Sequence, residues 1–274
     1  MINILSGEWY KIRKEKTFYV CLMSVAILVG LLYFTLFMVD EIRNQQPAEG
    51  GTGIYVYSEE ELSEGPYIYQ VGIMGVLQQM LNGHFTVFIM AVFASIFVIK
   101  EYTDGAVKNI VGKGYSRASV FLSKLLITEL AAMVILGVTF VCCILAGGLL
   151  MGKEGLQAMN WRETAAYMGM QIIISMSVTG IAVLVGELTR SLAAGISIST
   201  GIIIFSTSLL AGADTLLSVF SIQPSRYWPL SLQMECPVSG LEQEFVMRGI
   251  GASLAWLFLA VFLGIFHFQK ADVT

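Results

Sequence analysis

A chain of 274 residues in which 56% are hydrophobic and only 13% charged is too apolar for a soluble domain, where about 25% of residues are charged. The net charge is −4, and the sequence has no basic, aromatic-rich patch of the kind that binds nucleic acid. Composition therefore predicts an all-α membrane protein that crosses the bilayer several times. We expect residues 1–274 to form a single transmembrane domain.

The N-terminal 16 residues predict an amphipathic helix that lies in the membrane interface. Ile2, Leu5, Trp9 and Ile12 share one helical face, and the lysines lie elsewhere. Trp9 and the lysines would then sit near the lipid headgroups. The same residues also fit an ordinary basic flank before a membrane span, and the two interpretations are compatible.

Six stretches are long and apolar enough to cross a bilayer as helices. They occupy about 18–39, 84–99, 125–151, 167–186, 191–212 and 249–268. The second could begin as early as Met74. Only residues 187–190 separate the fourth stretch from the fifth, so these two should form a tight helical hairpin. The first is expected to be retained, because Asp40 and Glu41 follow it without a signal-peptide cleavage site.

The distribution of charge predicts the orientation. With the N-terminus inside, 11 of the 16 basic residues fall on the cytoplasmic side. They are Lys11, Arg13, Lys14, Lys16, Lys100, Lys108, Lys113, Arg117, Lys124, Arg190 and Lys270. This satisfies the positive-inside rule and places both termini in the cytoplasm.

The uncharged cores of the six spans contain no Asp, Glu, Lys or Arg, whereas ion-driven transporters place such residues there. Glu129 comes nearest. It lies five residues after Lys124, so pairing with that lysine or an interfacial position is favoured over an ion site. For His84, a hydrogen-bonded boundary role is favoured over a proton switch. Ion-driven transport and an intramembrane enzyme are therefore both disfavoured.

Small residues recur every four positions in the fifth span, at Ala193, Ser197 and Gly201. Such spacing lets helices approach closely. It is explained either by packing within one subunit or by a dimer seam or polar substrate path. The sixth span, with Gly249 and Ser253, leaves the same choice open.

Two loops on the predicted outer side differ in character. Residues 40–83 carry seven acids against a single arginine, which suits a solvated loop or one that attracts a cationic substrate. Residues 213–248 are apolar and interrupted by prolines, so a short re-entrant or interfacial helical segment is expected there.

The central segment, residues 100–124, carries five Lys/Arg against two acids between long apolar stretches. Gly112-Lys113 resembles the end of a phosphate-binding loop, but that motif would need glycine at Val107 and Ser or Thr at Gly114. No other catalytic or metal-binding motif occurs in the sequence. We therefore expect no enzyme activity and no cofactor on this chain.

Local signals predict two helix starts in the central segment. Asp104 or Thr103 can cap a short helix, which Gly112 or Gly114 would end. One side of that helix would carry Val107, Ile110 and Val111. Ser116 would then cap the helix that enters the third span.

These features together resemble the permease subunit of type-2 ATP-binding-cassette (ABC) exporters. The resemblance rests on six spans, an amphipathic N-terminus, the Glu-Tyr-x-x-Gly pattern at 101–105 and the Gly-x-Ser-Arg…Ser-Lys pattern from Gly114 to Lys124. The short turn at 187–191 and the apolar segment before the last span also fit. The resemblance implies a protein of a bacterial plasma membrane that exports or clears an amphipathic substrate such as an antimicrobial peptide, as in the lantibiotic-immunity branch.

The resemblance implies that residues 101–118, hereafter the coupling segment, seat in a groove of a separate ATPase subunit. The contact residues would be Glu101, Asp104, Gly105, Val107, Lys108, Ile110, Val111, Gly114, Ser116 and Arg117. Two permeases, either two copies or two similar chains, would work with two ATPases that bind Mg-ATP. The alternative is a membrane sensor or scaffold that signals through the same surface without transport.

Overall fold

In a computed structural model, the chain is an all-α bundle. The structure describes residues 2–45, 66–105, 112–218 and 223–270. Within these residues it contains nine α-helices, one short 3-10 helix at Pro224–Tyr227 and no strand. The helices are α1 (Ile2–Lys14), α2 (Lys16–Gln45), α3 (Tyr67–Asn82), α4 (Phe85–Thr103), α5 (Arg117–Gln157), α6 (Trp161–Thr189), α7 (Leu192–Leu217), α8 (Pro229–Glu235) and α9 (Gln243–Lys270).

Six of these helices are long and apolar enough to cross a membrane: α2, α4, α5, α6, α7 and α9. Each coincides with one predicted span, so the prediction of six spans and an all-α fold is confirmed. The helices extend beyond the predicted apolar stretches. The third span, for example, is extended back to Arg117, because charged residues continue a helix once its backbone bonds are formed.

Helix α3 corrects the interpretation of residues 40–83 as one acidic loop. Its apolar side chains, from Ile68 to Leu81, are largely buried against the bundle. Asp40 at the end of α2 accepts a hydrogen bond from the Ile68 amide at 3.0 Å. The helix is interrupted at Gly83 and His84, and His84 has a left-handed φ of 62°. The second span therefore begins at Phe85 and not near Met74.

Helices α4 and α6 form the interior of the bundle. About two thirds of the apolar part of each is buried, at 67%, against 22% for α2 and α9 and 17% for α7. The last three helices therefore present broad apolar faces outward, toward lipid or another subunit. The α6–α7 turn is as tight as predicted, with Arg190 in a left-handed conformation between the two helices.

The bundle has two ends that differ in composition. The α1 end contains α1, residues 100–105 and 112–118, the α6–α7 turn and the last turn of α9. The α8 end contains the α3–α4 break, the α5–α6 turn and residues 224–242. The predicted short helical segment before the last span is present there, and five consecutive residues of α8, from Pro229 to Gln233, are buried.

Candidate functional site

Helix α1 packs against the bundle through Leu5, Glu8 and Ile12. Ile12 is 3% exposed and Glu8 only 1%, whereas Trp9 is 45% exposed. Placing Trp9 on the same face as Leu5 and Ile12 was therefore only partly right. Helix α1 instead turns Glu8 inward, where it pairs with Lys11 of the same helix and lies near Glu101 of α4.

The partner beneath α1 is Glu101, the buried acid near the end of α4. Its Oε1 lies 2.6 Å from Lys11 Nζ, and its Oε2 lies 3.0 Å from Lys124 Nζ on α5. Glu101 is 6% exposed and Lys124 2%. One carboxylate thus joins α1, α4 and α5, which compensates part of the cost of burying these charges.

Glu8 completes this group of charges. Its Oε1 accepts a hydrogen bond from Lys11 Nζ at 2.8 Å. Burial and the neighbouring Glu101 carboxylate raise the pKa of Glu8 to about 7. Burial by itself would lower the pKa of Lys11, but Glu101 and Glu8 raise it above the ordinary value. An acid with a raised pKa therefore lies at the contact between α1 and α4.

Tyr102 links the same region to the α6–α7 turn. Its hydroxyl donates a short hydrogen bond to Glu187, which is 1% exposed. The cations of Lys124 and Arg190 lie over its ring, at 4.5 and 4.9 Å from the ring centre. Cations near an aromatic face are attracted to its electrons. Tyr102 therefore connects α4 with α5 and with the hairpin.

The other end of the coupling segment is attached to α9. Ser116 caps α5, as predicted, since its Oγ accepts from the Ser119 amide at 3.3 Å. Arg117 donates to the carbonyl oxygens of Phe268 at 3.3 Å and Gln269 at 2.9 Å. A guanidinium at the end of a helix satisfies carbonyl groups that have no partner within it.

The remaining predicted contact residues are distributed as follows. Asp104 and Gly114 are exposed, and Gly105 and Gly114 have φ of 65° and 83°. Thr103 ends α4 and donates to the Lys100 carbonyl at 2.8 Å, and the start of the short helix that Thr103 or Asp104 would cap lies outside the described residues. Four residues, Val107, Lys108, Ile110 and Val111, lie outside the described residues. Their role stays a prediction.

A groove of about 330 Å³ lies between α1 and the end of α4. Tyr10, Lys14, Phe97 and Asp104 are among the residues that line it. Lys100 and Glu15 also line this groove and form an ion pair, with Nζ–Oε1 at 2.9 Å. The α1 end therefore offers a polar concave surface directly beside the coupling segment.

Small residues divide α7 into two faces. Gly195 contacts Ile99 closely, and Ser199 Oγ lies 3.0 Å from Ser95 Oγ on α4. The predicted series lies on another face: Ala193 and Ser197 are exposed, and a Cβ on Gly201 would have open space. Packing within the subunit therefore uses Gly195 and Ser199. The series Ala193, Ser197 and Gly201 remains available to a partner or a path.

The small residues of the sixth span also lie on two faces of their helix. Gly249 contacts Met170 closely, and Ser253 is buried, whereas Gly251 faces open space. Close approach of α9 to α6 therefore explains Gly249 and Ser253 as packing within the subunit.

At the α8 end, Asn82 joins three helices. Its Oδ1 accepts from Tyr167 Oη at 2.6 Å and from Gln171 Nε2 at 2.9 Å. Its Nδ2 donates to the carbonyls of Met234 and Cys236, at 3.1 and 2.8 Å. The amide thus satisfies all four of its positions and fixes the chain after α8 to α3 and α6.

His84 lies beside this network and has the hydrogen-bonded role that was favoured. Its Nε2 lies 2.9 Å from the Leu230 carbonyl at the start of α8. Because a carbonyl can only accept, Nε2 carries the proton in this contact.

A cavity of about 500 Å³ opens at the α8 end between α2, α4 and α7. Most of its lining is apolar, with Asn82, His84 and Thr207 as polar groups. The apolar lining consists of Leu28, Phe85, Phe88, Ile203, Ile204 and Met234, with Gly83 beside them. A cavity of this size with a few polar groups is typical of a site for an organic ligand.

The interpretation of Glu129 as a partner of Lys124 is wrong. Lys124 pairs with Glu101, and Glu129 is 5% exposed without a hydrogen-bond partner among the described residues. Glu101 thus contacts two lysines, Lys11 of α1 and Lys124 of α5. Sequence spacing along one helix could not reveal this pairing, since Glu101 approaches from another helix.

The comparison with known proteins agrees with this architecture. The model of the ABC-2 family transporter proteins matches residues 4–206, well over half of the chain, from α1 into α7. No curated protein matches the chain significantly. The match includes the charge network and both ends of the coupling segment. The chain therefore belongs to the ABC-2 transporter family, as a multi-pass membrane permease of a family that implies an ABC ATPase as partner.

Proposed function

We propose that this permease is moved by a separate ATPase subunit through the coupling segment, residues 101–118. The observation that supports this is the attachment of its two described ends. Glu101 is bound to α1 and α5, Tyr102 to the α6–α7 turn, and Arg117 to the end of α9. A displacement of this segment would therefore reach five helices through hydrogen bonds and ion pairs.

The working unit would contain two permeases and two ATPases, with Mg-ATP bound by the ATPases. Val107, Ile110 and Val111 would pack against the ATPase, while Asp104 and Lys108 would make polar contacts beside them. ATP binding and hydrolysis would close and open the ATPase pair. The coupling segment would convert this movement into rocking of the spans.

The α1 end would face the cytoplasm, with both termini there, in a bacterial plasma membrane. Lys11, Lys14, Lys100, Lys113, Arg117 and Lys124 gather at this end, in keeping with the positive-inside rule. The face of α7 that carries Ala193, Ser197 and Gly201 would meet the second permease, because only 17% of the apolar part of α7 is covered within one chain.

The substrate would be amphipathic, such as an antimicrobial peptide. The cavity at the α8 end supports this proposal, because it combines the aromatic rings of Phe85 and Phe88 with polar groups at its margin. The acidic residues between 46 and 65 would attract a cationic substrate to this side. Export would then clear the peptide from the membrane.

Co-purification with an ABC ATPase from the same organism, sought first among the neighbouring genes, tests the coupling. We expect a complex whose ATP hydrolysis depends on the permease. Ile110→Asp should weaken the binding between permease and ATPase at least tenfold. Tyr227→Asp is the matched control, since Tyr227 is exposed at the α8 end. The proposal fails if no complex forms, or if Ile110→Asp behaves like the control. Function that survives an inactive ATPase would instead identify a sensor or scaffold.

Substrate stimulation of that ATP hydrolysis tests the cavity. Phe88→Ala should raise the half-maximal concentration of a cationic amphipathic peptide, because it removes an aromatic wall of the cavity. Phe262→Ala on α9, where the side chain is 67% exposed and lines no part of the cavity, should leave it unchanged. Equal effects of the two variants would exclude this cavity as the peptide site.

A further inference from the structure

Glu129 is a buried acid outside the group of charges formed by Glu8, Lys11, Glu101 and Lys124. It lies on α5 about 7.5 Å further along the helix axis than Lys124, at 1.5 Å per residue. Within the described part of the chain, neither of its carboxylate oxygens has a hydrogen-bond partner. A bare charge in such a place is costly, and intramembrane acids of this kind are usually functional.

Glu129 is one of the residues that line a small cavity of about 10 Å³. Its volume suits a single water molecule. Ser175 on α6 supplies the other polar group among the residues that line it. The remaining lining is apolar: Met90, Ala132, Met133, Leu136, Ile172 and Met176.

Ser175 also begins a series of polar groups that leads to the α8 end. Gln233 Nε2 lies 3.5 Å from Ser175 Oγ and donates to Gln171 Oε1 at 3.1 Å. Gln171 in turn donates to Asn82 at the α3–α4 break. Gln233 Oε1 is buried and has no partner among the described residues, so it is a second acceptor that could bind water.

We propose that Glu129 and Ser175 form an intramembrane proton-binding site, with one water between them, that exchanges its proton with the α8 end along water molecules bound by Gln233 and Gln171, whose own N–H bonds stay intact. The proton arrives from hydronium, forms an O–H bond with the carboxylate and leaves water behind. Release reverses these steps, so only O–H bonds form and break. The proposal does not depend on ATP-driven transport.

The surroundings of Glu129 favour a proton over a metal cation. Neither α4 nor α6 contributes a charged side chain to the lining of the cavity. On the side of α9, Gly180 lies between Glu129 and the residues Leu257 and Ala260. A Cβ built on Gly180 would lie 3.8 Å from Glu129 Oε1. On the cytoplasmic side of Glu129, Lys124 and Glu101 are paired with each other. A metal ion would need several oxygen ligands, whereas a proton needs one carboxylate.

Infrared spectroscopy of the full chain in lipid bilayers tests the site. Wild type at neutral pH should show the carbonyl band of a protonated carboxylic acid, absent from Glu129→Gln, and the band should shift on transfer to D₂O. Ser175→Ala should slow that shift on the order of tenfold, because it removes the hydroxyl next to the cavity. Ser177→Ala is the matched control, since Ser177 donates to the Ile174 carbonyl and does not line the cavity.

Three results would overturn the proposal. They are a carboxylate band at neutral pH, a band that never shifts in D₂O, and equal exchange in the Ser175 and Ser177 variants. Loss of the band on addition of Na⁺ at constant pH would show a metal-cation site instead. If Glu129→Gln does not fold, the two serine variants still decide, because only Ser175→Ala should change the band and its exchange.

Discussion

Glu101 and Lys124 form a buried ion pair between α4 and α5, with 3.0 Å between Oε2 and Nζ. The pair closes the base of the coupling segment, whose described ends lie at the C-terminal end of α4 and the N-terminal end of α5. Because Lys11 reaches the other oxygen of Glu101, the pair also determines where α1 lies.

The first prediction concerns the ion pair itself. Glu101→Gln should lower the stability of the permease by about 3 kcal/mol or more, because it leaves two lysines near an uncharged amide. Lys124→Met should cost less, since Lys11 still neutralises Glu101. The double variant should cost less than the sum of the two. Thermal unfolding in detergent measures all three. Lys113→Met, at an exposed lysine of the same end, should change little.

The second prediction concerns pH. The folded-state pKa of Glu8, about 7, lies above its ordinary value of 4.5. The stability linked to the neutral acid is therefore complete below pH 4.5 and is lost as the pH rises to about 7. In Glu8→Gln, the midpoint temperature of unfolding should therefore change less with pH across this window. The pKa of Glu15 is lowered and that of Lys11 raised, so both titrate outside the window. An unchanged slope in Glu8→Gln would contradict the assignment.

The third prediction separates the two faces of α7. Gly195→Val should destabilise the permease by about 1–3 kcal/mol, because its side chain would meet Ile99. Gly201→Val should leave the stability of one chain nearly unchanged, since its position faces open space. Both substitutions place the same residue in the same helix, so their difference reports packing alone. If Gly201→Val also weakens cross-linking between permeases, the outward face is the dimer seam.

The fourth prediction concerns the polar network around Asn82. Asn82→Leu removes four hydrogen bonds and should loosen the chain that follows α8. Cys236, which is buried and free, would then become accessible to thiol reagents. A maleimide that cannot cross membranes should label the variant from outside, in a background lacking Cys21, Cys142 and Cys143. His84→Ala should have a smaller effect, as it removes one hydrogen bond. Labelling equal to wild type would show that Asn82 does not hold this segment.

Much of the architecture could be predicted from local patterns. The six spans, the tight α6–α7 turn, the cap at Ser116 and the interrupted segment before α9 all follow from hydropathy, turn residues or capping residues. The helical part of 40–83 was missed, because the acids of that region outweigh the apolar residues of α3 in a charge count. Its burial depends on α2 and α5, which lie far away in sequence.

The sequence by itself determined that the chain crosses a membrane six times with its basic residues concentrated on one side. Those properties depend on length, polarity and charge, which are additive along the chain. Only the tertiary structure decided which charges meet. Glu101 takes both Lys11 and Lys124, and Glu129, five residues beyond Lys124, is left with a serine and a small cavity. Partners of buried charges are chosen by helix packing, because an ion pair requires contact within a few ångströms between residues that the sequence separates widely.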